Sequence, residues 1–330
     1  MLLKIAFMDN PRLWPLLDGT IQPEGIEFAW EFGHPAALNL RHLTENPFDV
    51  FEFSLSGYLV VRDRPVWTHL GWTSIPIFLS KAFLPLELCV NTRSGISSWA
   101  DLAGKRVGLP DYNMTASIWM RIMLKHLYGI QPADITWING RRPHQRHSTM
   151  IGFHETLPHD TRLLELEEGT SLNELLQRGE IDAAFGDRQV AAISEGPDVR
   201  RLLHPGQERQ LIEDFARKTG AAPVNHTIVV QQRLLAQHPH LAGELYRAFE
   251  AAKQEAYRRA LKSAEAYLLF PQSDFARQAT NFGEDPYPSG IAANRVMLAM
   301  LIEQLAFEGQ IHHPLSVEEL FLEDFVTGLD

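Results

Sequence analysis

The sequence predicts an α/β protein of two lobes, the second inserted into the first. Three observations point there. Strand-like and helix-like segments alternate with short links from the first residues onward, the pattern that builds a parallel-type sheet with helices on both faces. The alternation restarts after Ser97, as if a second sheet had been begun before the first was finished. The chain has 330 residues, 45% of them apolar and 22% charged, enough to bury two cores. The expected division is lobe I at 1–90 plus 205–330 and lobe II at 91–204, with hinge strands near 88–92 and 200–228.

Each element follows from its residues. Residues 2–8 alternate as a first strand, and Asp9-Asn-Pro-Arg12 is a turn into a short helix, 13–17, stopped at Asp18-Gly19. A strand at 26–30, a helix at 35–45 and a buried strand at 48–53 follow. Ser54-Leu-Ser-Gly57 turns into a helix at 58–63, and strands are expected at 72–78 and 86–91. In the second lobe, Ser98-Trp-Ala-Asp101 reads as a capped single turn. A strand at 106–109, a helix at 115–128 with Gly129 as its stop, and a strand at 135–138 come next. A helix at 171–177 ends at Gly179, and the strand 181–185 leaves through polar Gly186-Asp187-Arg188. Beyond the turn 219–225 come a strand to Val230, a long helix at 240–261, helices at 274–282 and 291–307, and a capping box at Ser316-Val-Glu-Glu319.

Composition narrows the function. A net charge of −11 with no basic stripe argues against a nucleic-acid partner. The single cysteine, Cys89, excludes an internal disulfide and a cysteine metal cluster. No basic leader followed by an apolar core opens the sequence, and no run reaches the ~18 apolar residues of a membrane span. A cytoplasmic protein with no membrane partner is therefore expected, and a homo-oligomer stays open. His144 and His147 have i, i+3 spacing but lie in a proline-containing loop, and no His-Glu-x-x-His occurs, so no metal is expected. No dinucleotide fingerprint is present either, and no cofactor is expected.

Two stretches invite a ligand. Strand 106–109 is stopped by Pro110, and Asp111-Tyr-Asn-Met-Thr115 then leads into a helix. Such a turn is either an ordinary capped connection or an anion site made of helix-start amides. Residues 139–160 carry Arg141, Arg142, His144, Arg146, His147, His154 and His159 without periodicity, which suits a binding loop, a lid or a plain surface loop.

Inserted α/β lobes resemble the type II periplasmic-binding-protein fold, in which ligand sits between the lobes. Five motifs sharpen the resemblance: Leu17-Asp-Gly with Gln22-Pro-Glu-Gly-Ile-Glu27, Phe48-Asp-Val-Phe-Glu-Phe-Ser-Leu-Ser56, Leu102 through Thr115, Asn225-His-Thr-Ile-Val229, and Asp285-Pro-Tyr-Pro-x-Gly-Ile-x-Ala-Asn-Arg295. In this order, over almost the whole chain, they are similar to the 4,5-dihydroxyphthalate decarboxylase family, a cytoplasmic enzyme branch of that fold. The chain departs from the family's pattern at 80–86 and at 139–160, where substrate would be gripped, so the resemblance speaks more for reaction type than for substrate.

The resemblance implies loss of CO2 from a hydroxylated aromatic diacid by protonation of the carbon that bears the carboxylate. That needs a general acid, an acceptor for the phenolic proton and a cation for the second carboxylate. His226, opening a strand after a proline turn, is the expected acid, unless it is a strand-end histidine bonded to backbone. Asp9 and Glu52, each ending a strand, are the expected acceptors; a turn aspartate and a buried ion pair are the plainer readings. Arg12 either clamps the carboxylate or pairs with Asp9. Ser54, Asp111, Tyr112, Asn113, Met114, Thr115, Arg188 and Tyr287 complete the expected substrate contacts, with core packing the plainer reading for Tyr287 and for Trp119. The rival function is a non-catalytic solute-binding protein that feeds an ABC transporter with a small anion. A pyrimidine synthase branch of the same fold ranks last, because its cysteine-rich stretch is missing.

Overall fold

The computed structural model describes residues 1–80, 83–152, 157–158, 160–187, 191–313, 315–323 and 325. The chain forms two compact units: Met1–Lys81 with Asn225–Val296 and Leu315–Asp330, and Ala82–Val224 with Met297–Pro314. The second unit is thus larger than the expected 91–204. The helix Pro205–Thr219 belongs to it because Phe215 packs on Trp119, at 6.4 Å between ring centroids. The segment after Met297 belongs to it because Glu308 closes on Arg121.

The first unit holds a five-stranded sheet in the order β2-β1-β3-β11-β4, with β1 Leu2–Phe7, β2 Glu27–Phe32, β3 Val50–Ser54, β4 Trp72–Ile75 and β11 His226–Gln231. β1 runs parallel to β2 and β3, whereas β11 is antiparallel to β3 and β4. The parallel sheet expected from the alternation is therefore mixed, because β11 comes back in from the second unit's segment rather than from a crossover helix. Alternation along β3 divides its two faces. Phe51 and Phe53 lie against the helix Pro35–Glu45, where the buried ring of His42 stacks on Phe51 at 3.9 Å. Glu52 and Ser54 are left on the opposite face.

The second unit holds a six-stranded sheet in the order β10-β5-β9-β6-β7-β8, formed by β5 Cys89–Asn91, β6 Arg106–Leu109, β7 Thr136–Asn139, β8 Arg162–Glu165, β9 Ala183–Ala184 and β10 Val199–Arg201. β6 to β9 are parallel, and β5 is antiparallel to β9 and β10. The helix Leu172–Arg178 packs on this sheet through Leu172 and Leu176. Gly108 and Gly140 permit that approach, since a Cβ on either would come within 2.7 Å of Leu172. The helix Thr115–Tyr128 is buried over its first ten residues and stops where Gly129 takes φ 72°. Its Arg121 is wholly buried in a two-bonded pair with Glu308, both N···O distances being 2.6 Å.

The helices at 35–45, 115–128 and 291–307 and the strand at 106–109 appear with the boundaries the sequence predicts. The long helix runs on to Tyr267, beyond the expected 261. The helix Pro205–Thr219 and the strands β8 and β10 were not expected. Among the described residues no helix is long and apolar enough to cross a membrane.

Candidate active site

The carboxyl ends of β1 and β3 and the start of β11 meet at one end of the first unit's sheet. In the antiparallel register His226 lies opposite Ser54 and Ile228 opposite Glu52. His226 and Glu52 are therefore diagonal neighbours on one face, within reach of long side chains. Glu52 Oε1 lies 2.6 Å from His226 Nδ1, although the two residues are 174 apart in the chain. Its other oxygen accepts the Met8 N–H at 3.0 Å. Glu52 is nearly inaccessible, at 3% side-chain exposure against 14% for His226. Both carboxylate oxygens are thus engaged; an ionised carboxylate only accepts, so its contact with His226 takes the proton on Nδ1, and Nε2 makes no hydrogen bond among the described residues.

Arg12 stands at the same end. Its Nη2 donates to the Leu79 carbonyl, its backbone N–H to Asn10 Oδ1 at 3.1 Å, and its guanidinium lies 3.6 Å from the centre of the Tyr287 ring. Nη1 is buried without a hydrogen-bond partner, and no carboxylate pairs with Arg12 among the described residues. The neighbouring carbonyl, that of Ser80, accepts the Asn225 N–H at 2.8 Å. The segment 79–80 therefore ties the arginine to the residue that precedes His226.

Asp9 is exposed and accepts the Trp14 indole N–H at 2.9 Å, so it does not pair with Arg12. Ser54 caps the helix Leu55–Asp63 by accepting the Gly57 N–H at 3.4 Å. Tyr287, half-buried, is held by its own N–H to Asp285 at 2.9 Å. Burial alone would raise the Asp285 carboxyl's pKa. Hydrogen bonds from Lys253, Tyr257 and the Tyr287 N–H outweigh burial and hold it below the usual carboxylate value.

The second unit uses most of its expected ligand residues for the fold. Asp111 is buried and accepts from Ser148 Oγ at 2.7 Å and from the Asn113 N–H at 3.0 Å. Tyr112 is buried with its ring 3.6 Å from the Arg121 guanidinium, and its hydroxyl has no hydrogen-bond partner among the described residues. That burial pushes the Tyr112 phenol well above its ordinary pKa. Asn113 and Thr115 are buried, Met114 is half-buried, and Trp119 donates its indole N–H to Val224 within the core. The arginines of the loop 139–160 are likewise occupied. Arg141 pairs with buried Asp187 at 2.7 Å, Arg146 pairs with Glu165 at 3.0 Å, and Arg142 donates to carbonyls of the turn 166–170. Arg188, His154 and His159 lie outside the described residues. No group of three or more histidine, cysteine, aspartate or glutamate side chains that could hold a metal occurs among the described residues.

Sequence reasoning missed Lys253 and Asp285. Lys253 looks like an ordinary member of an i, i+3 pair with Glu250 on a charged helix, and only its 6% exposure sets it apart.

Several solved structures share this architecture. A sulfonate ABC transporter's periplasmic sulfonate-binding protein from Methylobacillus flagellatus matches all of the chain and 93% of its own, at 11% identity and a TM-score of 0.55. The periplasmic aliphatic sulphonate binding protein of Escherichia coli matches 98% of the chain and 92% of its own, at 12% identity and a TM-score of 0.51. The chain therefore has the periplasmic-binding-protein fold. No model of a known protein family matches it. The 4,5-dihydroxyphthalate decarboxylase of Comamonas testosteroni is 30% identical over 321 residues, 97% of this chain and 96% of that protein. The enzyme of the same name from Pseudomonas putida is 31% identical over 215 residues, 62% of this chain and 78% of that protein. The chain belongs to the 4,5-dihydroxyphthalate decarboxylase family, a family of carboxy-lyases.

Proposed function

We propose that the protein removes CO2, without oxidation, from a hydroxylated aromatic dicarboxylic acid, 4,5-dihydroxyphthalate or a close analogue. The observation that carries the reading is the His226–Glu52 pair at the end of the sheet, in which one imidazole nitrogen has no hydrogen bond among the described residues. In this mechanism a hydroxyl para to the departing carboxylate feeds electrons into the ring as its proton moves to an acceptor. His226, protonated, gives the Nε2 proton to the carbon that bears the carboxylate, the intermediate is a ketone-like dienone, and solvent reprotonates His226 after turnover. The C–C bond to the carboxylate then breaks, CO2 leaves, its electron pair restores the aromatic ring, and the phenolic proton returns.

Glu52 fixes the ring's orientation through Nδ1–H and balances the positive charge of the imidazolium. Arg12 takes the second carboxylate through Nη1, the donor left without a hydrogen-bond partner among the described residues. Asp9, with one carboxylate oxygen lacking a hydrogen bond among the described residues, is the proposed acceptor for the phenolic proton. Asp111 and Tyr112 have no part in this proposal, because their contacts are spent inside the second unit. The cytoplasmic site of action expected from the sequence is part of the proposal, and cell fractionation checks it.

Purified protein, incubated with a panel of hydroxylated aromatic diacids with and without a chelator, is expected to release CO2 from at least one of them. Replacing His226 by Ala should abolish release while the circular dichroism spectrum is kept. Tight binding of one acid with no turnover of any would instead support the solute-binding reading, which the sulfonate-binding relatives of the fold also fit.

A further inference from the structure

We infer that Lys253 is a positioning residue that makes the site selective for a second carboxylate, acting through Tyr287 and Arg12. The inference rests on the decarboxylase reading only for the identity of the substrate. Lys253 lies on the helix Leu241–Tyr267 and is 6% exposed. Its Nζ reaches Glu250 Oε2 at 2.9 Å, Asp285 Oδ2 at 2.6 Å and the Tyr287 carbonyl at 2.9 Å. Two of its N–H donors are spent on the Asp285 and Tyr287 hydrogen bonds, and Glu250 pairs with its charge.

The same helical stripe carries Tyr257, whose hydroxyl donates to Asp285 Oδ1 at 2.8 Å. Glu250 in turn accepts from Ser289 Oγ. The far end of the loop is fixed by the Gly290 N–H to the Pro76 carbonyl at 2.8 Å, and Asn294 Nδ2 donates to Pro288 and Gly290. Loop 285–290 is therefore a rigid mount for the Tyr287 ring, and Lys253 is its central tie.

The mount has a consequence for recognition. Tyr287 covers one face of the Arg12 guanidinium, and the Leu79 carbonyl occupies Nη2. A stacked guanidinium keeps its plane fixed and offers incoming groups its edge, the geometry a planar carboxylate matches. Nη1 is the donor left over, buried and without a partner among the described residues. A lysine that only stabilised the loop would affect all ligands alike. One that sets the guanidinium plane affects only ligands with a second carboxylate to place there.

Calorimetric titration with phthalate and with benzoate separates these cases in the wild type, R12Q, K253M and the double variant. R12Q and K253M should each weaken phthalate binding about tenfold, the order expected for a charge-assisted hydrogen bond. Benzoate should change by less than about twofold on the same scale. The double variant should bind phthalate no more weakly than R12Q alone, because Lys253 acts through Arg12. Equal losses for both ligands, additive losses in the double variant, or unchanged phthalate binding in K253M would overturn the inference. If K253M fails to fold, Asp285→Asn removes the tie's charged partner while keeping an acceptor for the Tyr287 N–H, and it is read by the same criteria. Because these titrations need no turnover, a protein that shows the predicted pattern but releases no CO2 would refute the decarboxylase reading and leave this one standing.

Discussion

Replacing Glu52 by Gln tests the core of the mechanism with almost no change in volume. In the wild type the two carboxylate oxygens have separate duties, Oε1 facing His226 Nδ1 at 2.6 Å and Oε2 accepting the Met8 N–H at 3.0 Å. Glutamine has one acceptor oxygen and one NH2 group, so either Met8 or His226 loses its acceptor. If the oxygen stays on Met8, the amide faces Nδ1 as a donor and selects the tautomer with its proton on Nε2, uncharged and without the stabilising anion. If the oxygen turns to His226, a buried backbone N–H is orphaned and the charge is still lost. A hydrogen bond to a charged group contributes about 1.5–3 kcal/mol. Removed from the step that transfers the proton, this corresponds to roughly a 10- to 150-fold loss in kcat. Steady-state CO2 release measures it, with KM expected to stay within about threefold because the proposed mechanism gives Glu52 no contact with substrate. A kcat within about threefold of wild type would refute the role assigned to Glu52. A raised KM at unchanged kcat would instead make Glu52 a substrate contact.

Further outcomes follow from burial. R121M leaves the Glu308 carboxylate, 3% exposed, without its cation, and should cost about 3–5 kcal/mol in urea denaturation. The double variant R121M/E308L should lose less than R121M, and an R121M loss below about 1 kcal/mol would show that the pair is not what holds that helix. His42 has its pKa pushed down to about 3, chiefly by burial and then by the charge of Arg41. The unfolded chain protonates this residue below about 6.5 while the folded chain stays neutral down to about 3, so stability falls as pH falls through that window and is unaffected above it. At pH 5 the loss from this group is about 2 kcal/mol relative to neutral pH. H42F, set among Phe48, Phe51 and Phe53, should flatten the acid side of the stability profile measured by urea denaturation. An unchanged slope would mean that other groups cause it.

Much of the fold was legible because it depends on local signals. The helices at 35–45 and 115–128 carry their own periodicity and stops, and Ser316 and Glu319 form the reciprocal cap their spacing predicts. The helix Pro205–Thr219 was passed over although Leu211, Ile212 and Phe215 mark a buried stripe, because its remaining surface is polar and charged. β8 and β10 are short edge strands, whose pattern is too brief to separate from loop.

The sequence by itself determined two α/β units and the family, and it put forward His226, Asp9, Glu52 and Arg12 as candidates. Only the tertiary structure decided their relations. The register of β11 on β3 puts His226 beside Glu52, and no local pattern encodes a contact between residues 174 apart. Tertiary structure likewise sorted the cations. Arg141 and Arg146, in the loop that could have been a binding loop, a lid or plain surface, are neutralised by Asp187 and Glu165, whereas Arg12 keeps a buried donor without a partner among the described residues. Lys253 looked like surface and is the tie beneath the site. A charged residue's role depends on which opposite charge reaches it, and that is settled by packing between segments distant in the chain.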